Sequence, residues 1–243
     1  MGRVSVNSSL DDHCTSRTHL GILALQDPSK SDTKPFLSDG DIIYACMTRL
    51  VIQSIDIAKN RTVVIMNAFG LRSLLSKDLL PAATAFVSNA AWAVNALIPA
   101  ARILENPLSY PANEVRCSLR EHGTREQIEA LAALNIKSVA ETGRAATFGD
   151  SSTQLLVFSN WSRAEFFGID FSSVVVKQGK KMEESCNKVG RPRYIHSNAH
   201  FTNHFSGRHA FAVVGKDAGG NYWFMGTSRT ETWQKIEKAL ASM

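Results

Sequence analysis

The sequence contains none of the short motifs that mark the most common nucleotide-binding and hydrolase sites. It has no G-x-x-x-x-G-K-[ST] phosphate loop, no G-x-G-x-x-G dinucleotide motif and no G-x-S-x-G nucleophile elbow. It has only four cysteines in 243 residues, and no two of them form a C-x-x-C pair. A zinc knuckle and a thioredoxin-like redox site are therefore poor interpretations of this chain.

Charge is also sparse and nearly balanced. Charged residues make up 20% of the chain and hydrophobic residues 44%, which is usual for a soluble globular protein and argues against disorder or a disulfide scaffold. The net charge of +5 is not gathered into a basic stripe, so we expect no nucleic-acid partner, whereas an anionic small ligand would suit it. Residues 1–16 are polar and do not form a signal peptide, so we expect a cytoplasmic protein.

One uncharged stretch, Leu79–Ala101, is long enough to span a bilayer. It contains Pro81 and Pro99, and its amide side chains at Asn89 and Asn95 would need partners that lipid cannot supply. The stretch therefore predicts a buried strand and a loop, and no membrane span.

Breakers and capping residues divide the chain into an irregular N-terminal segment, residues 1–37, and one domain, residues 38–243. Ser38 and Asp41 form a capping box that starts a helix reaching to about Ile57. Further strands are predicted over residues 61–68, 154–159, 171–177, 209–215 and 222–226, and further helices are predicted to be capped by Thr124 and Thr230. Strands and helices interleave without strict βαβ alternation, which predicts an α/β (α+β) fold with a mixed β-sheet flanked by helices.

The histidines offer one alternative function. His196, His200 and His204 are spaced to line one face of a helix, where they could hold a metal. The residues between them are poor helix formers, and on a strand the three rings would lie too far apart to share one ion. We therefore expect a polar loop or an edge strand and no metal site, while an unrelated metal- or ligand-binding protein stays open as an alternative.

Several segments match, in order, the motifs of a known family. Ser159-Asn160-Trp161 stands where that family has T-S-W, and Asp170-Phe171 stands where it has D-F-G-W-G. Ser38-Asp39-Gly40-Asp41 resembles its S-T-x-D helix start, and Leu80 through Asn89 resembles its L-P-x-x-Y-x-G-N segment. Together these segments resemble the BAHD-type CoA-dependent acyltransferases, especially the fungal trichothecene-acetyltransferase-like branch.

The resemblance implies a chloramphenicol-acetyltransferase-like C-terminal domain. Members of the family are about twice as long as this chain, and the general base of their H-x-x-x-D motif lies in the first half. No histidine of this sequence is part of an H-x-x-x-D motif. The chain is therefore similar to the C-terminal half alone, and another histidine or a partner chain that brings the motif would be needed to complete a site. The expected protein partner is a separate N-terminal half or a second copy of this chain.

The resemblance also implies the roles of single residues. Ser159 would donate a hydrogen bond to the oxyanion, Trp161 would form a wall of the acceptor pocket, and Ser38 and Lys34 would contact CoA. Asp170, Phe171 and Asn89 would be structural. Simpler interpretations stay open, because Ser159 can merely end a strand, Trp161 can be core, and Ser38 can be only a helix cap.

The function implied is transfer of an acyl group from acyl-CoA to a hydroxylated secondary metabolite. Acetyl-CoA is the expected co-substrate, a terpenoid or fungal toxin precursor is the expected acceptor, and no cofactor is expected to stay bound. The alternative is a catalytically inactive half-domain that acts as a relic or as a partner subunit.

Overall fold

A computed structural model describes residues 3–6, 36–76, 78–80, 85–176, 188–196 and 209–242, and residues 3–6 only through their backbone. Its strands form one mixed sheet with the order β1-β6-β5-β4-β2-β3. The strands are β1 (Arg3–Val6), β2 (Thr62–Gly70), β3 (Ala91–Pro99), β4 (Gln154–Asn160), β5 (Ala210–Lys216) and β6 (Tyr222–Thr227). Strands β2, β4 and β5 run parallel, and the other neighbours pair antiparallel. The predicted mixed sheet with flanking helices is confirmed.

The described helices all connect or cover these strands. They are α1 (Asp39–Ser54), α2 (Arg72–Leu75), α3 (Ala100–Glu105), α4 (Ser109–His122), α5 (Arg125–Thr142) and α6 (Thr230–Ala241). Short 3₁₀ turns follow β4 at residues 162–164, 166–168 and 172–174. Within the described ranges, no helix has the length and apolarity that crossing a bilayer requires.

Helix α1 begins as its sequence predicts. The Asp41 carboxylate accepts a hydrogen bond of 2.7 Å from the Ser38 backbone N–H, and the Asp41 N–H donates to the Ser38 hydroxyl. This reciprocal pair is a complete capping box. The apolar residues that follow are buried, so the helix is held by packing as well as by its cap.

The sheet has two unlike faces because successive strand residues point to opposite sides. Ile65, Phe158 and Phe211 lie on the face covered by α1 and α6, and all three are buried. Phe158 stacks on Tyr44 of α1 with ring centroids 4.6 Å apart, and Phe211 contacts Trp233 of α6 at 5.7 Å. The main core therefore lies on this face, and Ser159, the neighbour of Phe158, points to the other face.

One predicted strand is wrong. Residues 171–177 were expected to form a strand, but the described part forms a 3₁₀ turn at Ser172–Val174 and then an exposed segment. Val174 is 72% exposed and Val176 fully so. Three consecutive valines favour a strand only where a neighbouring strand pairs with them, and among the described residues no strand lies beside this segment.

Other boundaries differ for local reasons. Strand β1 lies within residues 1–37, which were expected to be irregular; it is held by pairing with β6. Helix α6 begins at Thr230 itself, after Arg229, without a side-chain cap. Helix α4 was not predicted, because Pro111 was expected to break the chain. Pro111 lies in the first turn of this helix, where the backbone N–H that proline lacks would have no partner within the helix.

Candidate functional site

A cleft of about 900 Å³ opens where β4 and β5 end and α1 begins. Asn160, the last residue of β4, lines it together with the end of β5 from Val213 to Lys216. The start of α1 from Ser38 to Gly40 forms the opposite wall. Ligands commonly bind at the carboxyl ends of parallel strands, and a helix start adds a positive partial charge there. The cleft is the candidate ligand site.

Arg116 of α4 fixes the start of α1 from the side. Its Nε donates to the Asp41 carboxylate at 2.9 Å, and its Nη2 donates to the Ser38 hydroxyl at 2.8 Å. Asp41 is only 2% exposed, so this ion pair compensates a charge that water cannot reach. Because Arg116 lies far from Ser38 in the sequence, no local pattern predicts the contact.

Ser38 lies in the cleft wall, as a residue that contacts CoA should, but its hydroxyl already forms hydrogen bonds within the protein. The hydroxyl donates to the Asp41 carboxylate at 2.9 Å and accepts from both Asp41 and Arg116. The simpler interpretation of Ser38 as a helix cap thus accounts for its hydrogen bonds, and a CoA contact stays a prediction. Lys34, the other predicted CoA contact, lies outside the described residues.

Asp39 is the first residue of α1 and faces the end of the sheet. The Tyr222 hydroxyl donates a hydrogen bond to its carboxylate, and the Lys216 ammonium lies 3.5 Å from the same oxygen. Lys216 also lies over the Tyr222 ring, 4.5 Å from its centroid. Burial, and then the bond to Asp39, raise the pKa of the Tyr222 hydroxyl well above its usual value, so the phenol stays protonated.

The described charged side chains that line the cleft are three cations and two carboxylates. The cations are Arg116, Arg163 and Lys216, and the carboxylates are Asp39 and Glu165. Arg116 is already paired with the buried Asp41, so the attraction for an anionic group comes from Lys216, Arg163 and the helix start. Sequence analysis missed Lys216, whose place directly before the Gly219-Gly220 turn made it look like part of a hairpin connection.

Ser159 and Trp161 contact each other at the end of β4, on the sheet face that α1 does not cover. The indole Nε1 of Trp161 donates a hydrogen bond of 2.9 Å to the Ser159 hydroxyl oxygen. A hydroxyl that accepts in this way keeps its own hydrogen for another acceptor. Trp161 is half-buried and contacts Phe166 edge-on, 6.3 Å between centroids.

Ser159 does not line the cleft, but its neighbour Asn160 does. Consecutive strand residues face opposite sides, so the Ser159 hydroxyl and the cleft lie on opposite faces at the same end of β4. A ligand that used both would pass around this strand end.

An apolar groove of about 860 Å³ lies on the same sheet face as Ser159, between that face and α5. Its walls include Met66 and Val157 from the sheet, Val139 from α5, and Phe148. Val157 precedes Ser159 by two strand positions, so the groove and the Ser159 hydroxyl share one face. Its chemistry suits an apolar ligand.

Asp170 organises a turn. Its carboxylate accepts from the Ser172 N–H at 2.8 Å and pairs with the Arg191 guanidinium at 3.1 Å. These hydrogen bonds and the charges of Arg191 and Lys188 hold the pKa of Asp170 below its usual value. The Phe171 N–H donates to the Gly190 carbonyl at 2.8 Å, which ties the two segments together.

The remaining predicted residues lie elsewhere. Asn89 is exposed in the segment before β3, next to Ala90, whose carbonyl accepts from the Leu71 N–H. His200 and His204 lie outside the described residues. Among the side chains that the structure describes, no cluster of three or more His, Cys, Asp or Glu could hold a metal ion.

Comparisons with known proteins place the chain among fungal proteins of several names. It is 41% identical over 208 residues to the transcriptional regulator calD of Penicillium decumbens. It is 35% identical over 215 residues to the acetyltransferase sphE of Aspergillus fumigatus, and 30% identical over 217 residues to the O-acyltransferase pboC of Aspergillus ustus. These alignments cover 85%, 88% and 89% of this chain but 42%, 41% and 45% of the relatives, so the chain spans less than half their length. No family model matches.

Solved structures with the same fold extend the comparison. F. sporotrichioides TRI101, solved with coenzyme A and T-2, superposes with a TM-score of 0.68 at 13% identity over 98% of this chain and 48% of that one. Vinorine synthase superposes with a TM-score of 0.63 at 16% identity, over 99% and 46%. The chain thus has the fold of about half of each of these molecules.

Proposed function

We propose that this chain, which is similar to the C-terminal half of BAHD-type acyltransferases, supplies the acyl-CoA-binding half of such an enzyme. The observation that carries the proposal is the cleft at the start of α1, with Lys216, Arg163 and the helix start around one space. CoA carries several phosphate charges, which these groups would attract. The TRI101 structure solved with coenzyme A supports this choice of ligand.

The Ser159–Trp161 pair supports the chemical part of the proposal. In acyl transfer, a base takes the proton of the acceptor hydroxyl as its oxygen attacks the thioester carbonyl. The carbon–sulfur bond then breaks, and the base returns the proton to sulfur so that CoA leaves as the thiol. The carbonyl oxygen becomes an oxyanion, which needs a hydrogen-bond donor. Ser159 has a hydroxyl hydrogen available for this purpose, and the bond from Trp161 fixes the position of its oxygen.

The acceptor is a hydroxylated secondary metabolite in our proposal, with acetyl-CoA as the donor. The names of the relatives sphE and pboC support acyl transfer in fungi. The apolar groove on the Ser159 face would hold the hydrocarbon body of such an acceptor. The general base would come from residues beyond this sequence, since the sequence has no H-x-x-x-D motif.

A second candidate function follows from that same absence. A half without the base could serve as a non-catalytic partner subunit or be a relic of an acyltransferase, and the relative calD is named a transcriptional regulator. Such a protein would retain the fold and could retain CoA binding, but a supplied N-terminal half would not make it active.

Calorimetric titration of CoA into the purified chain tests the first step. We expect binding, and we expect Lys216→Gln to weaken it about tenfold, since a charge-assisted bond to phosphate is lost. Lys137→Gln, which removes an exposed lysine of α5 outside the cleft, is the matched control and should bind as the parent does. Absence of binding by the parent chain would contradict the proposal.

Complementation then separates the two functions. The chain is co-expressed with the N-terminal half of the sphE relative, and acetyl transfer from labelled acetyl-CoA to hydroxylated terpenoids is measured. Turnover by the pair favours the acyltransferase. A stable pair that binds CoA without turnover favours the non-catalytic partner.

A further inference from the structure

We propose that Asp39 limits the affinity of the cleft for an anionic ligand, because its carboxylate competes with a ligand phosphate for Lys216 and for the start of α1. The inference rests on the proposed binding of CoA in the cleft and goes beyond it by assigning a residue that opposes binding. It predicts that the affinity of the cleft for CoA is held below what its cations alone would give.

The contacts of Asp39 carry the argument. One of its carboxylate oxygens lies 3.5 Å from the Lys216 ammonium and accepts the hydrogen bond of the Tyr222 hydroxyl. Tyr222 and Lys216 also contact each other, with the ammonium 4.5 Å from the ring centroid. All three side chains line the cleft, so the carboxylate is already bound to donors that an incoming phosphate would use.

The position of Asp39 on its helix strengthens the competition. It is the first residue of α1, where unpaired backbone N–H groups and the helix dipole attract negative charge. A carboxylate at this place acts as an internal anion. A ligand phosphate entering the cleft meets its repulsion and must share Lys216 with it.

The buried Asp41 does not act in this way, although it is two residues away. Its charge is compensated by Arg116 and by the capping box, and it is almost inaccessible. Asp39 has a side chain that is 55% exposed, so its charge faces the space that a ligand enters. The two carboxylates of this helix turn therefore have different roles: Asp41 stabilises the helix start, and Asp39 repels an anionic ligand.

The test is titration of CoA into the full chain carrying Asp39→Asn, which removes the charge and keeps an oxygen for the Tyr222 bond. We expect CoA to bind about fivefold more tightly than to the parent at low salt, and the gain to shrink at about 0.5 M NaCl. Asp39→Glu keeps the charge and should bind much as the parent does. Glu126→Gln removes a carboxylate from the first turn of α5, outside the cleft, and is the matched control.

A second neutral variant, Asp39→Ser, controls for a folding defect that only the Asn substitution causes. Thermal unfolding shows whether both variants are folded. Tighter binding by the neutral variants, with the gain reduced by salt, supports the inference. If the parent binds CoA and both folded neutral variants bind it equally or more weakly, the inference is overturned and the proposed function stands. If neither the parent nor the variants bind CoA, the proposed function fails and the inference fails with it.

Discussion

The indole nitrogen of Trp161 and the hydroxyl oxygen of Ser159 are joined by a hydrogen bond of 2.9 Å. Two residues that follow each other closely in the chain thus form one unit, because β4 ends between them and the chain turns back toward the strand. The bond holds the serine oxygen in place and leaves its hydrogen to point elsewhere. The first prediction depends on this pair.

Ser159→Ala should lower kcat of the complemented enzyme by about 10²-fold, the usual cost of removing one oxyanion donor, with a small change in KM. Trp161→Phe should have a smaller effect, since the hydroxyl stays but loses its fixed position. Steady-state kinetics with acetyl-CoA measures both. Ser76→Ala, an exposed serine at the end of α2, is the control, and unchanged kcat in Ser159→Ala would make this serine only the end of a strand.

Arg116→Gln should lower the free energy of unfolding by about 3 kcal/mol, because it leaves the buried Asp41 carboxylate without its cation. Urea denaturation monitored by circular dichroism measures the loss. Arg144→Gln, an exposed arginine beyond α5, should be nearly neutral. A midpoint that Arg116→Gln leaves unchanged would mean that the capping box alone satisfies Asp41.

Asp170 should make the stability depend on pH in the acid range. Its pKa in the folded chain is below the ordinary value of 3.8, so its contribution is fully present above that value and is lost as pH falls through the lower folded value. Asp170→Asn should therefore flatten the acid limb of the curve of unfolding midpoint against pH. Asp170→Asn should lower stability more than it lowers the rate of the chemical step, because the Asp170 side chain holds a turn together.

The effect of Asp170→Asn on the chemical step is measured in the complemented enzyme at neutral pH. Loss of activity in Asp170→Asn without any change in the unfolding midpoint would contradict the structural role. An acid limb identical to that of the parent would contradict the pH prediction.

Gly190→Ala should destabilise the turn around Asp170. Gly190 has φ +81°, and a Cβ built on it would lie 2.4 Å from the Ser172 backbone nitrogen. Gly143 has a similar φ of +71° but nothing within 4 Å of such a Cβ, so Gly143→Ala isolates the strain of positive φ alone. We expect Gly190→Ala to lose about 1–2 kcal/mol more than Gly143→Ala in thermal or urea unfolding. Equal losses of stability in the two variants would show that the turn relieves the close contact between the new Cβ and Ser172 at little cost.

The parts of the structure that the sequence predicts depend on neighbouring residues. Ser38 and Asp41 specify the start of α1 because the capping box is a contact between residues three apart. The hairpin of β5 and β6 follows from Gly219 and Gly220, of which Gly220 adopts φ +82° as the turn requires.

The parts that were missed depend on distant residues. Arg116 meets Ser38 and Asp41 only after α4 packs beside α1, and Lys216 meets Asp39 only after α1 packs against the sheet. The predicted strand at Val174 failed for the same reason, since a strand needs a partner that local sequence does not reveal. The cleft is thus a product of tertiary structure, and of the predicted site residues that the structure describes, Ser38 is the one that lines it.

The pairing of β1 with β6 has a consequence for how the sheet is assembled. Val6 pairs with Tyr222, so this edge joins the first and the last described strands of the sheet, which are far apart in sequence. During synthesis on the ribosome, β1 is made before the other described strands of the sheet, and its partner β6 is made after all of them. Pairing between such distant segments is slow to form, and until then the backbone groups of either strand are open to other chains. Completion of this edge is therefore expected to be among the last steps of folding.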